Sequence, residues 1–309
     1  MKNFVAFLFF NLLCLLGFSQ SNIRLNNFWE NTYYINPASI YSEYQFVASG
    51  AARKQWIGFP GAPVSEYITF VSRFYTNKTQ ETQVGQIGLK AYHDKIGYTT
   101  ILNLSPSFSY SLRMVNDWRL NFGAAYKIQN IKYDLSMSKT EEPGPDPVMS
   151  TIETKWGGHN ADLGIEVIGP SFIIGAAGQN LMSAFDYGNS LQSNSNFLYG
   201  IYRREIDSFF NLLLGACAIK NENLYQGEFN VSGVLKSKGI PVFQLGAFYR
   251  TKKEFGALFG IDLSPAVRLA GSYDYHVGDI SHNSFGTPEI LLIWKFGKLE
   301  NCDCAGLFK

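Results

Sequence analysis

Residues 118–130, WRLNFGAAYKIQN, alternate between apolar and polar or small side chains along their whole length. A strand would place Trp118, Leu120, Phe122, Ala124, Tyr126 and Ile128 on one face, and Arg119, Asn121, Gly123, Ala125, Lys127 and Gln129 on the other. In a soluble sandwich the apolar face would meet a protein core. In an outer-membrane barrel it would meet lipid, and the polar face would line a wet interior. This strand by itself leaves both architectures open.

The same period of two recurs toward the end of the chain, in YQGEFNVSGVL (225–235), PVFQLGAFYR (241–250), AVRLAGSYDYH (266–276) and PEILLIWKF (288–296). The polar face repeatedly carries full charges. Segmentation at turn residues predicts about fourteen strands. Their predicted bounds are 44–55, 63–75, 84–97, 99–113, 118–134, 159–169, 171–181, 194–206, 208–220, 224–237, 240–252, 255–264, 266–277 and 285–297.

The lengths of the predicted connections separate the two architectures. In outer-membrane barrels the periplasmic turns are short and the outer loops are free to be longer. The short connections VNDW, IGPS, REIDS, KSKGI and LSPA alternate with long ones at 137–158, 182–193 and 277–284, and only 76–83 is long on the short side. A soluble sandwich has no reason to sort its loops in this way, so we predict an antiparallel outer-membrane β-barrel of about fourteen strands. Its apolar face would meet lipid, because a charge there costs about 2 to 4 kcal/mol at mid-bilayer.

Composition and the chain ends agree with export. The 26 Lys and Arg nearly balance the 25 Asp and Glu among 309 residues, so no basic excess indicates nucleic acid. Lys2 precedes an apolar run that ends near Gly17 and Ser19, which predicts a signal peptide over 1–19; a short membrane anchor is the alternative. The predicted division is completed by an N-terminal periplasmic segment (20–43), the barrel (44–297) and a C-terminal periplasmic tail (298–309). The mature chain would keep Cys217, Cys302 and Cys304, too few for a disulfide scaffold.

Catalytic and metal-binding motifs are absent from the sequence. The four histidines form no H-E-x-x-H motif, and no nucleophile elbow or phosphate-binding loop is present. His276 and Asp274 would share the lumen face near Asp279, so a hydrolytic or metal site at the outer rim is an alternative to plain polar lining. The pattern favours a non-enzymatic barrel without a cofactor or metal.

The composition of one segment is not explained by the requirements of a β-barrel. NPASIYSEYQFVASGAARKQWIGFPGAP (36–63) ends in a run of Arg, Lys, aromatic, Pro and Gly residues at the predicted first outer connection. Such side chains are frequent anchors in protein interfaces, which favours a shaped partner-binding loop. The alternative is a loop folded inward as a plug.

Several strings resemble the type IX secretion system membrane proteins of the PorP/SprF family of Bacteroidetes. They are NPAS, ARKQWIGFPGAPVSEYITF, HDKIG, NDWRLNFGAAYKI, FGIDLSPAVRLAGSYDYHVGDIS and GTPEILLIWKF. NPASIY stands where the family usually reads N-P-A-Y-A-G, and GTPEI where S-H-E-I is common. The residues that carry the family motifs, and hence our partner-binding candidates, are Asn36, Pro37, Arg53, Gln55, Trp56, Gly58, Phe59, Gly61, Ala62 and Pro63.

The resemblance implies a non-enzymatic barrel in the cell outer membrane. Its implied partners are outer-membrane lipid, the type IX translocon, a periplasmic ring and secreted cargo proteins, among them gliding adhesins. Nucleic acid is not among them. A passive porin or hydrophobic-solute transporter is the alternative function.

Overall fold

A computed structural model describes residues 25–40, 44–75, 83–134, 155–184, 193–221, 224–251, 254–277 and 284–298. Fourteen antiparallel strands follow one another around a closed barrel, and β1 pairs with β14. The strands are β1 (Tyr44–Lys54), β2 (Val64–Tyr75), β3 (Gln83–Ile96), β4 (Thr99–Arg113), β5 (Arg119–Tyr133), β6 (Lys155–Ile168), β7 (Phe172–Gln179), β8 (Ser195–Glu205), β9 (Phe210–Asn221), β10 (Leu224–Ser237), β11 (Ile240–Arg250), β12 (Glu254–Ser264), β13 (Val267–His276) and β14 (Thr287–Lys298). The predicted fold class is confirmed.

Side-chain exposure follows the alternation seen in the sequence. On β5 the outward Phe122 is 43% exposed, whereas its neighbour Asn121 is fully buried toward the lumen. Leu245 and Tyr273 likewise point outward, and Arg250 and Asp274 point inward. Because hydrocarbon cannot satisfy a charge, this arrangement suits a lipid-facing outer wall and a polar inner one.

Closure of the barrel pairs the first strand with the last. β1 and β14 are paired from Tyr44↔Lys298 to Arg53↔Glu289, so the first and last strands satisfy each other's backbone groups. Most predicted bounds lie within two residues of the observed ones. The largest difference is at β6, which begins at Lys155 rather than His159 and so lengthens the wall beside the long fifth connection.

The first strand begins, and the last strand ends, at the end of the barrel that carries the short turns. Ser237 and Ile240, for example, flank one tight turn there, with Lys238 and Gly239 in the left-handed region. By the usual length rule this end faces the periplasm and the other end faces outward. None of the helices in the described ranges has the length and apolar character to cross a membrane.

The interior is not an open, water-lined lumen. Residues 25–40 lie inside the barrel as two short 3-10 turns, Asn26–Trp29 and Thr32–Tyr34, and most of them are buried. We call residues 25–40 the plug. The pattern predicted a periplasmic segment over 20–43, whereas residues 25–40 lie inside the barrel. The signal-peptide prediction (1–19) and the tail from 299 onward fall outside the described residues.

A hydrophobic core forms between the plug and the wall. Leu25, Phe28 and Ile35 of the plug belong to one buried cluster with inward-facing apolar residues of the strands. The wall members include Tyr67, Ile173, Phe197, Tyr199, Ile201, Cys217, Ile219, Leu291 and Ile293. The plug is therefore held as a protein core is held, by removal of apolar surface from water.

Candidate functional site

The outer end of the plug is fixed by carboxylates of the barrel wall. Glu289 of β14 accepts hydrogen bonds from the backbone N–H groups of Asn26 and Asn27, each at 2.8 Å, and from the Asn27 side chain at 2.9 Å. Asp274 accepts the Asn26 side-chain amide at 2.6 Å and lies 3.4 Å from the Arg53 guanidinium. Hydrogen bonds to charged acceptors are about twice as strong as neutral ones, so this end of the plug is tied firmly.

Two arginines, on β11 and β13, connect the first half of the plug to the wall. Arg250 pairs with Glu228 at 2.7 Å and also donates to the side-chain oxygen of Asn26, while the Trp29 indole donates to Glu228 at 2.7 Å. Arg268 pairs with Glu30 of the plug at 2.8 Å. Each of these charges is buried or partly buried beside a partner of opposite sign, which is the arrangement that a low-dielectric interior requires.

The periplasmic half of the plug rests on polar groups and glycines. Asn36 donates its amide to the carbonyl of Ile165 (3.1 Å) and to the Tyr199 hydroxyl (3.0 Å), and its own oxygen caps the N–H of Ala38. Tyr199 in turn donates to Glu166 at 2.5 Å. Asn36 is thus the centre of a hydrogen-bonded chain that spans from plug to wall.

Inward-facing glycines of the wall allow the plug to approach the strands closely. A side chain at Gly123 would overlap the backbone of Pro37 and Ala38, and one at Gly164 would overlap the Asn36 amide. Gly88 is equally close to the Tyr33 hydroxyl. The plug could not approach these strands if the wall carried larger residues at these positions.

Tyr33 and Tyr34 are the buried phenols of the plug. Tyr33 shares a 2.5 Å hydrogen bond with Ser107, and Tyr34 lies under the Lys90 ammonium, 5.5 Å from its ring centroid. Burial raises the pKa of Tyr33 to about 12 and raises that of Tyr34 as well, so both remain neutral at physiological pH.

Residues 55–63, which we call the rim loop, form a folded structure at the outer end. Gln55 N–H bonds to Pro63 O at 2.9 Å and closes the base of the loop; inside it, Phe59 N–H bonds to Trp56 O and Ala62 N–H to Phe59 O. Trp56, Gly58 and Gly61 all have positive φ angles, which glycine adopts freely and Trp56 adopts only under constraint.

Neighbouring loops fix the rim loop in place. Ile57 exchanges two backbone hydrogen bonds with the β13–β14 connection, to Gly286 O and from Phe285 N, and Gly61 O accepts from Gly97 N at 3.1 Å. The Trp56 N–H is held by the Thr287 hydroxyl at 3.2 Å. Phe59 at the tip remains 38% exposed. Aromatic residues are enriched in protein interfaces, so the exposed Phe59 makes the rim loop a candidate contact site.

The family-motif residues therefore divide between three places. Asn36 and Pro37 lie in the plug, Arg53 lies in the lumen wall at its outer end, and Gln55 to Pro63 form the rim loop. The rim loop does not fold inward; the plug is formed by residues 25–40.

The alternative site at His276 and Asp274 is not assembled. His276 lies 3.6 Å from Glu254, whereas Asp274 binds Asn26 and approaches Arg53. Asp279 lies outside the described residues. In the described part of the chain, no group of three or more His, Cys, Asp or Glu side chains could hold a metal ion.

A cavity of about 410 Å³ lies beneath the plug, toward the periplasmic end. Its inner wall is formed by apolar residues of β1, β2, β8, β9, β10 and β14, and its charged lining includes Arg73, Arg203, Arg268 and Lys295. The sequence did not indicate the cavity, and the plug it offered as an alternative was the loop at the end of 36–63 rather than residues 25–40. The available signal was the occurrence of Leu291 and Ile293 on the polar face of β14, where apolar residues need a protein contact.

A closed fourteen-strand barrel with a lipid-compatible outer face and a plugged lumen defines an outer-membrane β-barrel protein. Residues 17–294 match the family model of the type IX secretion system membrane protein PorP/SprF. The chain belongs to that family, and its location is the outer membrane. No curated protein matches the sequence significantly.

Solved outer-membrane barrels share the architecture at low sequence identity. The CymD monoaromatic hydrocarbon channel is 10% identical, with a TM-score of 0.50 over 92% of this chain and 96% of its own. The Pseudomonas putida toluene transporter TodX is 9% identical, with a TM-score of 0.50 over 91% and 95% of the two chains. These likenesses concern the fold alone.

Proposed function

We propose that this protein is a non-enzymatic component of the type IX secretion system that supports the export or surface attachment of cargo proteins such as gliding adhesins. The family match over most of the chain supports a role in this system. The observation that supports the finer proposal is the conformation of the rim loop, which is held by backbone hydrogen bonds to two neighbouring connections and presents Phe59 to the exterior.

The plug argues against a passive pore as the principal role. Residues 25–40 contact inward residues on opposite sides of the barrel, from Ser49 on β1 to Tyr199 on β8 and Glu289 on β14. A solute channel needs a continuous path along the barrel axis, whereas here a packed and ion-paired segment lies across the lumen. The partners we propose are the translocon, the periplasmic ring and the cargo, with lipid around the wall.

Replacement of Phe59 by Ser tests the proposal in cells. Phe59 makes its fixed contacts through its backbone, so the barrel should assemble normally while cargo attachment fails. The matched control is Tyr98→Ser, which removes an aromatic side chain of 52% exposure from the adjacent β3–β4 turn.

The readouts are the amount of barrel in the outer membrane and the amount of adhesin on the surface of a deletion strain carrying each variant. We expect normal barrel levels for both, and loss of surface adhesin for Phe59→Ser alone. Normal adhesin display in the complete deletion strain would refute the proposed function.

A further inference from the structure

Three lysines form a row on the outside of the barrel wall, near its outer end. Lys54, Lys95 and Lys132 lie at or next to the last residue of β1, β3 and β5, the strands that run toward that end. The strand register joins them: Lys54 pairs with Val64, Val64 with Lys95, Lys95 with Thr100, and Thr100 with Lys132. The three lysines, which we call the lysine row, therefore stand at one level on every second strand, about 10 Å apart.

The lysine row faces away from the lumen. Each of its members is exposed, whereas the residue that precedes each of them, Arg53, Asp94 or Ile131, is buried toward the interior. Because successive side chains of a strand point to opposite faces, the three ammonium groups project from the side of the wall that meets the membrane. None of them forms an ion pair with another residue of the described ranges.

The carboxylates around the lysine row have other positions and other partners. Asp94 is buried on the lumen side, where the Ser65 hydroxyl donates to it at 2.7 Å. Glu66, on β2 and nearer to mid-membrane, lies 3.5 Å from His93. Asp134 follows the last residue of β5. Since none of these carboxylates is ion-paired with the row, its ammonium groups are available to an anion from outside the chain.

The same face of the wall becomes apolar below the lysine row. Ile68 on β2, Leu104 on β4 and Ile128 on β5 are exposed, and each lies four residues nearer to mid-membrane than the level of the row. Four residues of a strand rise about 13 Å, and less along the membrane normal because the strands of such barrels are tilted. The lysine row therefore lies just above the hydrocarbon, at the level of the lipid headgroups.

A ligand that uses both features is a lipid with an anionic headgroup. Lysines at a membrane surface attract anionic headgroups, and phosphate oxygens accept strong hydrogen bonds from ammonium groups. A free phosphate would meet the lysines but would leave the apolar wall unused. We infer that the lysine row binds the phosphorylated headgroup of an outer-leaflet lipid, whose acyl chains lie against Ile68, Leu104 and Ile128. This site is separate from the cargo contact proposed at the rim loop.

Lipid binding to the full chain in a neutral detergent, measured by native mass spectrometry, tests the inference. The probe is diphosphoryl lipid A, and the comparison lipid is lipid A without its phosphates. We expect at least five-fold tighter binding of the phosphorylated form. The variant Lys95→Gln/Lys132→Gln should lose most of this preference, whereas Lys95→Arg/Lys132→Arg should keep it because the charge is kept. The matched control, Lys220→Gln/Lys238→Gln, removes two exposed lysines outside the row and should also keep it.

Equal binding of the two lipids, or an unchanged preference in Lys95→Gln/Lys132→Gln, would overturn the inference. An equal loss in the control variant would also overturn it, because the effect would then follow total charge rather than the lysine row. Inorganic phosphate is the probe for a soluble ligand: if it displaces lipid A at equal concentration, the site takes free phosphate and the lipid assignment is wrong.

Discussion

The side-chain amide of Asn36 lies 3.0 Å from the Tyr199 hydroxyl and joins the plug to β8 across the barrel interior. The two residues are far apart in sequence, and Asn36 is part of the NPA string that carries the family resemblance. Tyr199 in turn donates a hydrogen bond to Glu166. Asn36 is therefore linked, directly or through Tyr199, to the Ile165 carbonyl, the Tyr199 hydroxyl and the Glu166 carboxylate. The motif is thus explained here by its position in the plug.

Replacement of Asn36 by Ala should loosen the plug. It removes the amide donor from the Ile165 carbonyl and the Tyr199 hydroxyl, and the loss of such buried hydrogen bonds costs about 1 to 3 kcal/mol. Hydrogen exchange of residues 25–40 in detergent should rise. The control is Asn130→Ala, an exposed asparagine near the outer end of β5. Unchanged protection of the plug in Asn36→Ala would show that the apolar contacts alone hold it.

Glu289→Gln should free the outer end of the plug first. The carboxylate accepts three hydrogen bonds from Asn26 and Asn27, and an amide oxygen can replace only part of this set and without the charge. We expect faster protease cleavage within residues 25–30 and little change near Asn36. Glu66→Gln, an exposed glutamate of β2, supplies the comparison. Uniform loosening of the whole plug would contradict this local effect.

Gly123→Ala should displace the plug and open the lumen. The added methyl group would overlap the backbone between Pro37 and Ala38, and overpacking of this kind costs about 1 to 3 kcal/mol. The protein in a planar bilayer should then show ion conductance that the unmodified protein lacks. Gly50→Ala is matched to it, because a methyl group there meets its nearest neighbour at 3.8 Å. Equal conductance of both variants would mean that the plug does not close the path.

Gly58→Ala should disorder the rim loop while leaving the barrel intact. Gly58 has φ of 107°, a conformation that strains any residue with a side chain by about 1 to 3 kcal/mol. We expect adhesin display to fall even though Phe59 is still present, because its position is no longer fixed. Gly157→Ala, at an exposed, outward-facing position of β6 with ordinary spacing to its nearest atom, is the control. Full display by Gly58→Ala would indicate that loop rigidity is unnecessary.

The wall of the barrel could be predicted from the sequence because the residues of each strand determine locally which of its faces is apolar and where the strand ends. Period-two alternation decides which side faces lipid, and turn residues decide where a strand ends, so Phe122 and Asn121 could be assigned to opposite faces without knowledge of their neighbours. The length difference between outer and periplasmic connections is likewise local. The strand number and the lipid-facing residues were therefore predictable.

The position of residues 25–40 inside the barrel could be determined only from the tertiary structure. Residues 25–40 have no regular period, and their position follows from partners distant in sequence, such as Glu289 for Asn27 and Arg268 for Glu30. Closure of the sheet brings these groups together, and no spacing along the chain encodes it. The sequence by itself determined a membrane wall and its inner and outer faces. Only the folded barrel decided that the lumen is filled, because that outcome requires inward residues from strands on all sides to converge on one segment.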